Sequence, residues 1–237
     1  MLDEAAAVER HWVDFEKERL AYYHIRATGE IPRTAVLMHG AGASDKERTV
    51  ALGCEIAAAG HDVLALDFTG QGESSGVLKE SSLQQRFRQV SFLIDALVRA
   101  GDQLILVGFS LSGQTVADLL VHYGGRIAAI GLCSPAIYTQ AAWGVRFDSG
   151  VTELIRQENS WLESGALDAF RAFRGRSVLA VPAQDNVIPP EVTENIAAAL
   201  ANSRLSRLVF PRAGHQLGPY FRDNPADCGQ FVSMLLS

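Results

Sequence analysis

Apolar residues in this chain gather into short continuous runs, separated by longer stretches in which they recur at helical spacing. Gln103–Val107 opens on one polar residue and is then unbroken Leu-Ile-Leu-Val, the pattern of a strand buried on both faces. Runs of this kind predict strands at Ala35–His39, Val63–Asp67, Leu104–Val107, Ile127–Cys133, Val178–Pro182 and Leu205–Phe210. Helical patterns lie between them, near Glu47–Ala59, Ser82–Arg99, Ser112–Tyr123 and Glu191–Ala201. Over Ser112–Tyr123 the apolar Val116, Leu119 and Leu120 share one face. A last helix is signalled by Asn224 at its N-cap and Pro225 at its first position.

Strands alternating with helices imply a parallel sheet covered on both faces. Ahead of it, Trp12–Phe15 and Leu20–Ile25 flank the charged segment Glu16–Arg19, which reads as an antiparallel hairpin and makes the sheet mixed. The alternation fails once. From Ala136 to Arg176 there is no strand pattern, and the segments starting at Val151 and Leu167 look helical on either side of Gly165. The expectation is therefore a single α/β domain over residues 1–237, with a short helical cap inserted at about 136–176 over the C-terminal edge of the sheet.

Composition narrows the partners. At 237 residues and 48% hydrophobic content the chain can bury a substantial core, and a formal net charge of −6 argues against a surface built to neutralise phosphates. Arginines at 171, 174 and 176, and at 204, 207 and 212, read as solvated helix faces and strand edges, so no nucleic-acid partner is expected. Cys54, Cys133 and Cys228 have no Cys-x-x-Cys spacing and suggest neither a disulfide framework nor a zinc site. The first ten residues lack a basic segment followed by an apolar core, and no apolar run is long enough to span a bilayer. A cytoplasmic protein without a membrane span is the expectation.

The chemistry is concentrated at strand ends. Gly108-Phe109-Ser110-Leu111-Ser112 places a serine where a strand turns sharply into a helix, with small residues two positions away on each side. Such a turn holds the serine in a strained conformation and exposes its hydroxyl, although a helix-capping serine would give a similar pattern. In open parallel sheets ligands bind beyond the carboxyl ends of the strands. There the chain carries His39-Gly40-Ala41-Gly42, then Asp67-Phe68-Thr69-Gly70-Gln71-Gly72-Glu73-Ser74, then Ser110, Asp185 and His215. A nucleophile, a base and an orienting carboxylate arriving from separate strand ends can converge on one point.

These motifs resemble the α/β-hydrolase superfamily over nearly the whole chain, in particular its small esterases and monoacylglycerol-lipase-like members. His39–Gly42 is similar to their oxyanion loop, Asp67–Ser74 to their second signature, and the order Ser, Asp, His to their triad. Two positions depart from that pattern: Ser112 stands where the elbow usually ends in glycine, and Gln71 where the second signature usually carries histidine. The elbow serine also sets the chain apart from dehalogenases, which resemble it in fold but place a carboxylate there.

The expected roles follow from the chemistry. Ser110 attacks an acyl carbon, His215 serves as base and then as acid, and Asp185 fixes the imidazole; Glu191 is a nearby alternative carboxylate. The backbone N–H groups of Ala41 and Leu111 form the oxyanion hole, and Phe109, Ile188 and Leu217, with Leu111, line the substrate site. His39, Glu73 and Ser74 are read as structural. Neither glycine pair completes a dinucleotide fingerprint, no phosphate loop occurs and no metal-ligand spacing is present, so no cofactor and no metal are expected. The reading is a serine hydrolase that cleaves small to medium carboxylic esters, including monoacylglycerols or thioesters, through an acyl-enzyme. A non-catalytic small-molecule receptor on the same fold and an acyltransferase remain open.

Overall fold

The computed structural model describes residues 7–27, 29 and 31–237. Residues 1–6, where the leader-peptide reading begins, lie outside the described set, as do 28 and 30 in the break after the hairpin. The chain opens with β1 (Val8–Phe15) and β2 (Glu18–Ile25), then β3 (Arg33–Met38), a single 3-10 turn at Lys46–Thr49, α1 (Val50–Ala58) and β4 (Asp62–Leu66). It continues through α2 (Leu83–Leu97), β5 (Gln103–Phe109), α3 (Ser112–Tyr123) and β6 (Ile127–Cys133). After α4 (Val151–Ile155) and α5 (Ala166–Ala172) come β7 (Arg176–Pro182), α6 (Pro190–Ala199), β8 (Arg204–Phe210), α7 (Leu217–Asp223) and α8 (Pro225–Leu236).

Among the described residues eight strands form one sheet, in the order β1-β2-β4-β3-β5-β6-β7-β8. β1 and β2 pair antiparallel, β2 meets β4 antiparallel, and all later pairs are parallel. The hairpin turn is tighter than the charge pattern implies. Only Glu16 and Lys17 form it, Glu16 at φ +55°, while Glu18 and Arg19 already pair with Phe15 and Asp14. Charge marked an exposed segment there, and exposed residues can still belong to a ladder.

Alternation along the strands sorts the core into two layers. Val36, Met38, Leu64, Leu66, Leu104 and Leu106 face the layer made with α2, α3, α5 and α6. Their neighbours Ala35, Leu37, Val63, Ala65, Ile105 and Val107 face α1, α7 and α8. Both faces being covered is why these strands read as unbroken apolar runs. The structure bears out the mixed α/β sheet with helices on both sides.

Among the described residues, α7 is an α-helix the sequence pattern did not announce. Its first turn contains Gly218 and Pro219, which read as breakers, yet proline is tolerated in a first turn. Gly218 is there for proximity, since a Cβ on it would fall 2.6 Å from the Arg48 carbonyl oxygen. Pro225 opens α8 and Asn224 occupies its N-cap position as expected, but the Asn224 side chain makes no cap bond; its amide donates backwards to the Tyr220 carbonyl at 2.8 Å.

Between β6 and β7 two halves behave differently. Residues 138–155 form a separate apolar cluster with Leu83 and Leu111, centred on Ala142 and Val151. They are tied to the start of α2 through Phe147 N–H to Ser81 O (2.9 Å), Asp148 N–H to Lys79 O (2.8 Å) and Gln84 N–H to Trp143 O (2.9 Å). Helix α5 instead sends Leu167 and Phe170 into the main core beside α3.

Candidate active site

The sheet reverses its direction of winding between β3 and β5, since α1 leads outward from β3 to β4 while later strands add on the other side. Ligand sites of open α/β sheets form at such a switch point. Ser110 lies one residue past β5, facing the loop that leaves β3.

Ser110 has φ +51°, in the left-handed region that a serine seldom adopts. The turn is held from both sides. Ser110 N–H donates to the Cys133 carbonyl at 2.9 Å, while its own carbonyl accepts from Gly113 N–H (2.8 Å) and Ala136 N–H (2.9 Å). Gly108 allows the tight return: a Cβ there would fall 2.6 Å from Ser112 O, so no other residue fits without moving backbone.

Ser110, Asp185 and His215 converge although they stand on three separate loops. His215 Nε2 is 3.0 Å from Ser110 Oγ, and His215 Nδ1 is 2.9 Å from Asp185 Oδ2 and 3.2 Å from Oδ1. Asp185 is oriented by Val187 N–H (2.8 Å) and Ile188 N–H (3.2 Å), both donating to Oδ1. The loops bearing Asp185 and His215 are cross-linked by Gln184 N–H to Ala213 O at 3.0 Å. Ser134, at φ +47° after β6, braces the histidine by donating to the His215 carbonyl at 2.9 Å. Glu191 stands exposed in the first turn of α6 and makes no hydrogen bond or ion pair with His215 among the described residues.

Ala41 and Leu111 flank the serine. Among the described residues neither backbone N–H donates to a protein acceptor. Two cavities meet at Ala41 and Gly42. The first, about 460 Å³, holds Ser110 and His215 with Phe109, Leu217 and Val187 in its wall and Arg48 beside it. The second, about 510 Å³, is lined by Leu111, Val77, Leu78, Phe147 and Val151, with Lys79 and Arg86. Of the expected substrate-site residues, Phe109 and Leu217 line the first cavity and Leu111 the second. Ile188 lines a separate depression that includes Asp185, and its neighbour Val187 lines the first cavity instead. In a short loop the direction of one side chain depends on the turn, which composition does not encode.

The loops behind the serine are held by buried polar groups. Asp67, fully buried, accepts from Lys46 N–H (2.7 Å), Lys46 Nζ (2.8 Å) and Glu73 N–H (2.9 Å). Gly72, at φ +53°, is required here because a Cβ would fall 2.2 Å from the Asp67 carboxylate. Ser74 donates to Asp67 O and accepts from Ala21 N–H, so it shapes its loop.

His39 is 1% exposed; Nδ1–H donates to Gly40 O at 2.9 Å and Nε2 accepts from Phe68 N–H at 3.4 Å. Burial first, and the nearby Arg86 charge second, hold its pKa well below the ordinary histidine value. The Asp67 carboxylate lies 3.9 Å away but is already engaged by Lys46. The unfolded chain thus takes up this proton first as pH falls. Stability should be complete above about pH 6.5 and decline below it, with this one group contributing a slope of about 1.4 kcal/mol per pH unit. Burial lowers His24 and His61 in the same direction. Urea midpoints between pH 7.5 and 5.5 should fall less steeply for His39→Gln than for wild type; equal slopes would contradict the assignment.

The sheet order, the strained serine and the strand-end loops define an α/β hydrolase. Residues 29–168 match the family model described as serine aminopeptidase, S33, and the chain belongs to that family. Over 106 residues the chain is 32% identical to the multifunctional-autoprocessing repeats-in-toxin of Vibrio vulnificus, a match covering 41% of this chain. The chain spans about 2% of the length of the curated relatives it matches. Among solved structures, Est1E from Butyrivibrio proteoclasticus with bound ferulic acid superposes with a TM-score of 0.71 at 16% identity, covering 95% of this chain and 99% of that one. The thioesterase domain from the curacin biosynthetic pathway gives 0.70 at 16% identity, covering 96% and 99%. Among the described residues no helix is long and apolar enough to cross a membrane.

Proposed function

We propose that this hydrolase cleaves carboxylic esters or thioesters through an acyl-enzyme on Ser110. One observation carries the reading: the His215 ring bridges Ser110 Oγ at 3.0 Å and Asp185 Oδ2 at 2.9 Å. In the proposed reaction Nε2 accepts the Ser110 proton as Oγ attacks the acyl carbon, and returns it to the leaving group. Asp185 keeps Nδ1 protonated and stabilises the imidazolium. The N–H groups of Ala41 and Leu111 receive the oxyanion, and water then repeats the sequence to release the acid.

The two cavities meeting at Ala41 suit the two halves of a substrate. The apolar one, lined by Leu111, Phe147 and Val151, takes a small or medium acyl chain, and the one beside His215 takes the leaving group. On this reading residues 136–176 act as a cap on a single catalytic domain. Support for an ester rather than an amino-terminal peptide comes from charge. Neither cavity has Asp or Glu among its described lining residues, while Arg48, Lys79 and Arg86 are present, so an ammonium group has no counter-charge. The ferulic acid on Est1E and the thioesterase named in the curacin pathway agree with an acyl substrate.

The test is a series of p-nitrophenyl esters of rising acyl length run beside aminoacyl p-nitroanilides, with a fluorophosphonate probe and mass spectrometry to locate the labelled residue. Ester turnover with labelling at Ser110 is expected. Preferential cleavage of the anilides would replace the ester reading, and saturable ester binding without turnover would favour a receptor.

A further inference from the structure

The two positions that depart from the hydrolase pattern, Gln71 and Ser112, are joined in space by one side chain. Arg86 enters from α2, is 1% exposed and stacks 3.4 Å above the centre of the Phe68 ring. Its Nη2 donates to His39 O at 2.6 Å and to Ser112 Oγ at 2.8 Å, and its Nη1 donates to Gln71 Oε1 at 3.0 Å. Ser112 Oγ donates in turn to the same His39 carbonyl at 2.7 Å. From the other end, Gln71 Nε2 donates to Gly42 O at 2.7 Å and lies 3.4 Å from the carbonyls of Gly40 and Ser44. One connected network therefore grips the loop on both sides of Ala41. A glycine at 112 would remove one joint of it, and an imidazole at 71 could not present the same amide oxygen and amide N–H.

Stability does not account for this arginine. Among the described residues no carboxylate pairs with it, and its Nε has no partner. Burying a cation without a counter-charge costs several kcal/mol. Burial pushes the guanidinium pKa down to about 9, so it stays charged at neutral pH. What the charge does have is three oxygen acceptors, all belonging to the oxyanion loop or to residues touching it. A forked donor suits that task better than an ammonium.

We propose that Arg86 is a positioning residue for the reaction, fixing the 39–44 loop through His39 O, Ser112 and Gln71 so that the Ala41 N–H points at the substrate oxygen. The proposal rests on the acyl-enzyme reading above. Donors aimed at a developing oxyanion act only if they are held in place before the reaction. Their loss of aim lowers kcat and spares ground-state binding.

The experiment compares wild type with Arg86→Met, Arg86→Lys and Gln71→Met on a p-nitrophenyl ester, counting active sites by fluorophosphonate titration. Binding of a trifluoromethyl ketone, whose hemiketal oxygen occupies the oxyanion hole, is measured alongside. Arg86→Met should lower kcat per active site by about 10- to 100-fold with KM changed less than about threefold, and weaken the ketone by a similar factor. Arg86→Lys and Gln71→Met should fall between. A purely structural role would lower thermal stability while leaving kcat per titrated site and ketone affinity within about twofold of wild type, and that result overturns the proposal. Should Arg86→Met fail to fold, unchanged kcat in both Arg86→Lys and Gln71→Met overturns it equally. Failure of the underlying reading looks different: wild type itself would not be labelled at Ser110, and the proposal would fall with it.

Discussion

Ser110→Ala should lose ester turnover by roughly four to six orders of magnitude, while the folded state is nearly unaffected. Among the described residues the hydroxyl has a single side-chain partner, His215 Nε2, so its removal strands no buried group there. The positive φ at this position strains alanine as it does serine, so no large gain in stability offsets the loss. His215→Ala should cost about as much, and the double variant little more than either, because in the proposed reaction nucleophile and base act as one unit. Steady-state rates on the p-nitrophenyl series, with circular dichroism to verify folding, provide the measurement. Turnover within tenfold of wild type in Ser110→Ala would move the nucleophile elsewhere.

The largest loss of stability is expected from Lys46→Met. Lys46, 1% exposed, places Nζ 2.8 Å from the buried Asp67 carboxylate and 2.7 Å from the half-exposed Glu73. Removing the ammonium leaves the buried Asp67 carboxylate without its counter-charge, held among the described residues by the N–H groups of residues 46 and 73. Breaking one side of such a buried pair costs about 3–5 kcal/mol. For a chain of this size that lowers Tm by about 6–20 °C. Lys46→Met combined with Asp67→Asn should recover part of the loss, since the stranded charge is gone. A Tm shift below about 2 °C in the single variant would show that the pair is not a strut of these loops.

Much of this architecture could be read before any coordinates. Ile127–Cys133 and Ser112–Tyr123 form where the apolar pattern places them, because strands buried on two faces and helices buried on one leave different periods in the residues. The candidate site was legible as an order of residues at strand ends. Arg86 was not. An arginine in a helix reads as solvated, although Leu83, Arg86, Val90, Leu93 and Ile94 follow the spacing of one buried stripe, and that spacing was the available signal. The exchange of Ile188 for Val187 in the cavity wall and the appearance of α7 across Gly218-Pro219 depend on where a turn points and how closely Arg48 approaches.

The sequence by itself determined the class of fold, the strained serine and the three loops that carry reactive groups, because local burial and turn chemistry are written in neighbouring residues. Only the tertiary structure decided that an imidazole 105 positions away stands within hydrogen-bond reach of the serine. It alone brought Arg86 inward to join Gln71 and Ser112. Such contacts arise from the packing of distant elements around a common core, and no stretch of chain holds both partners.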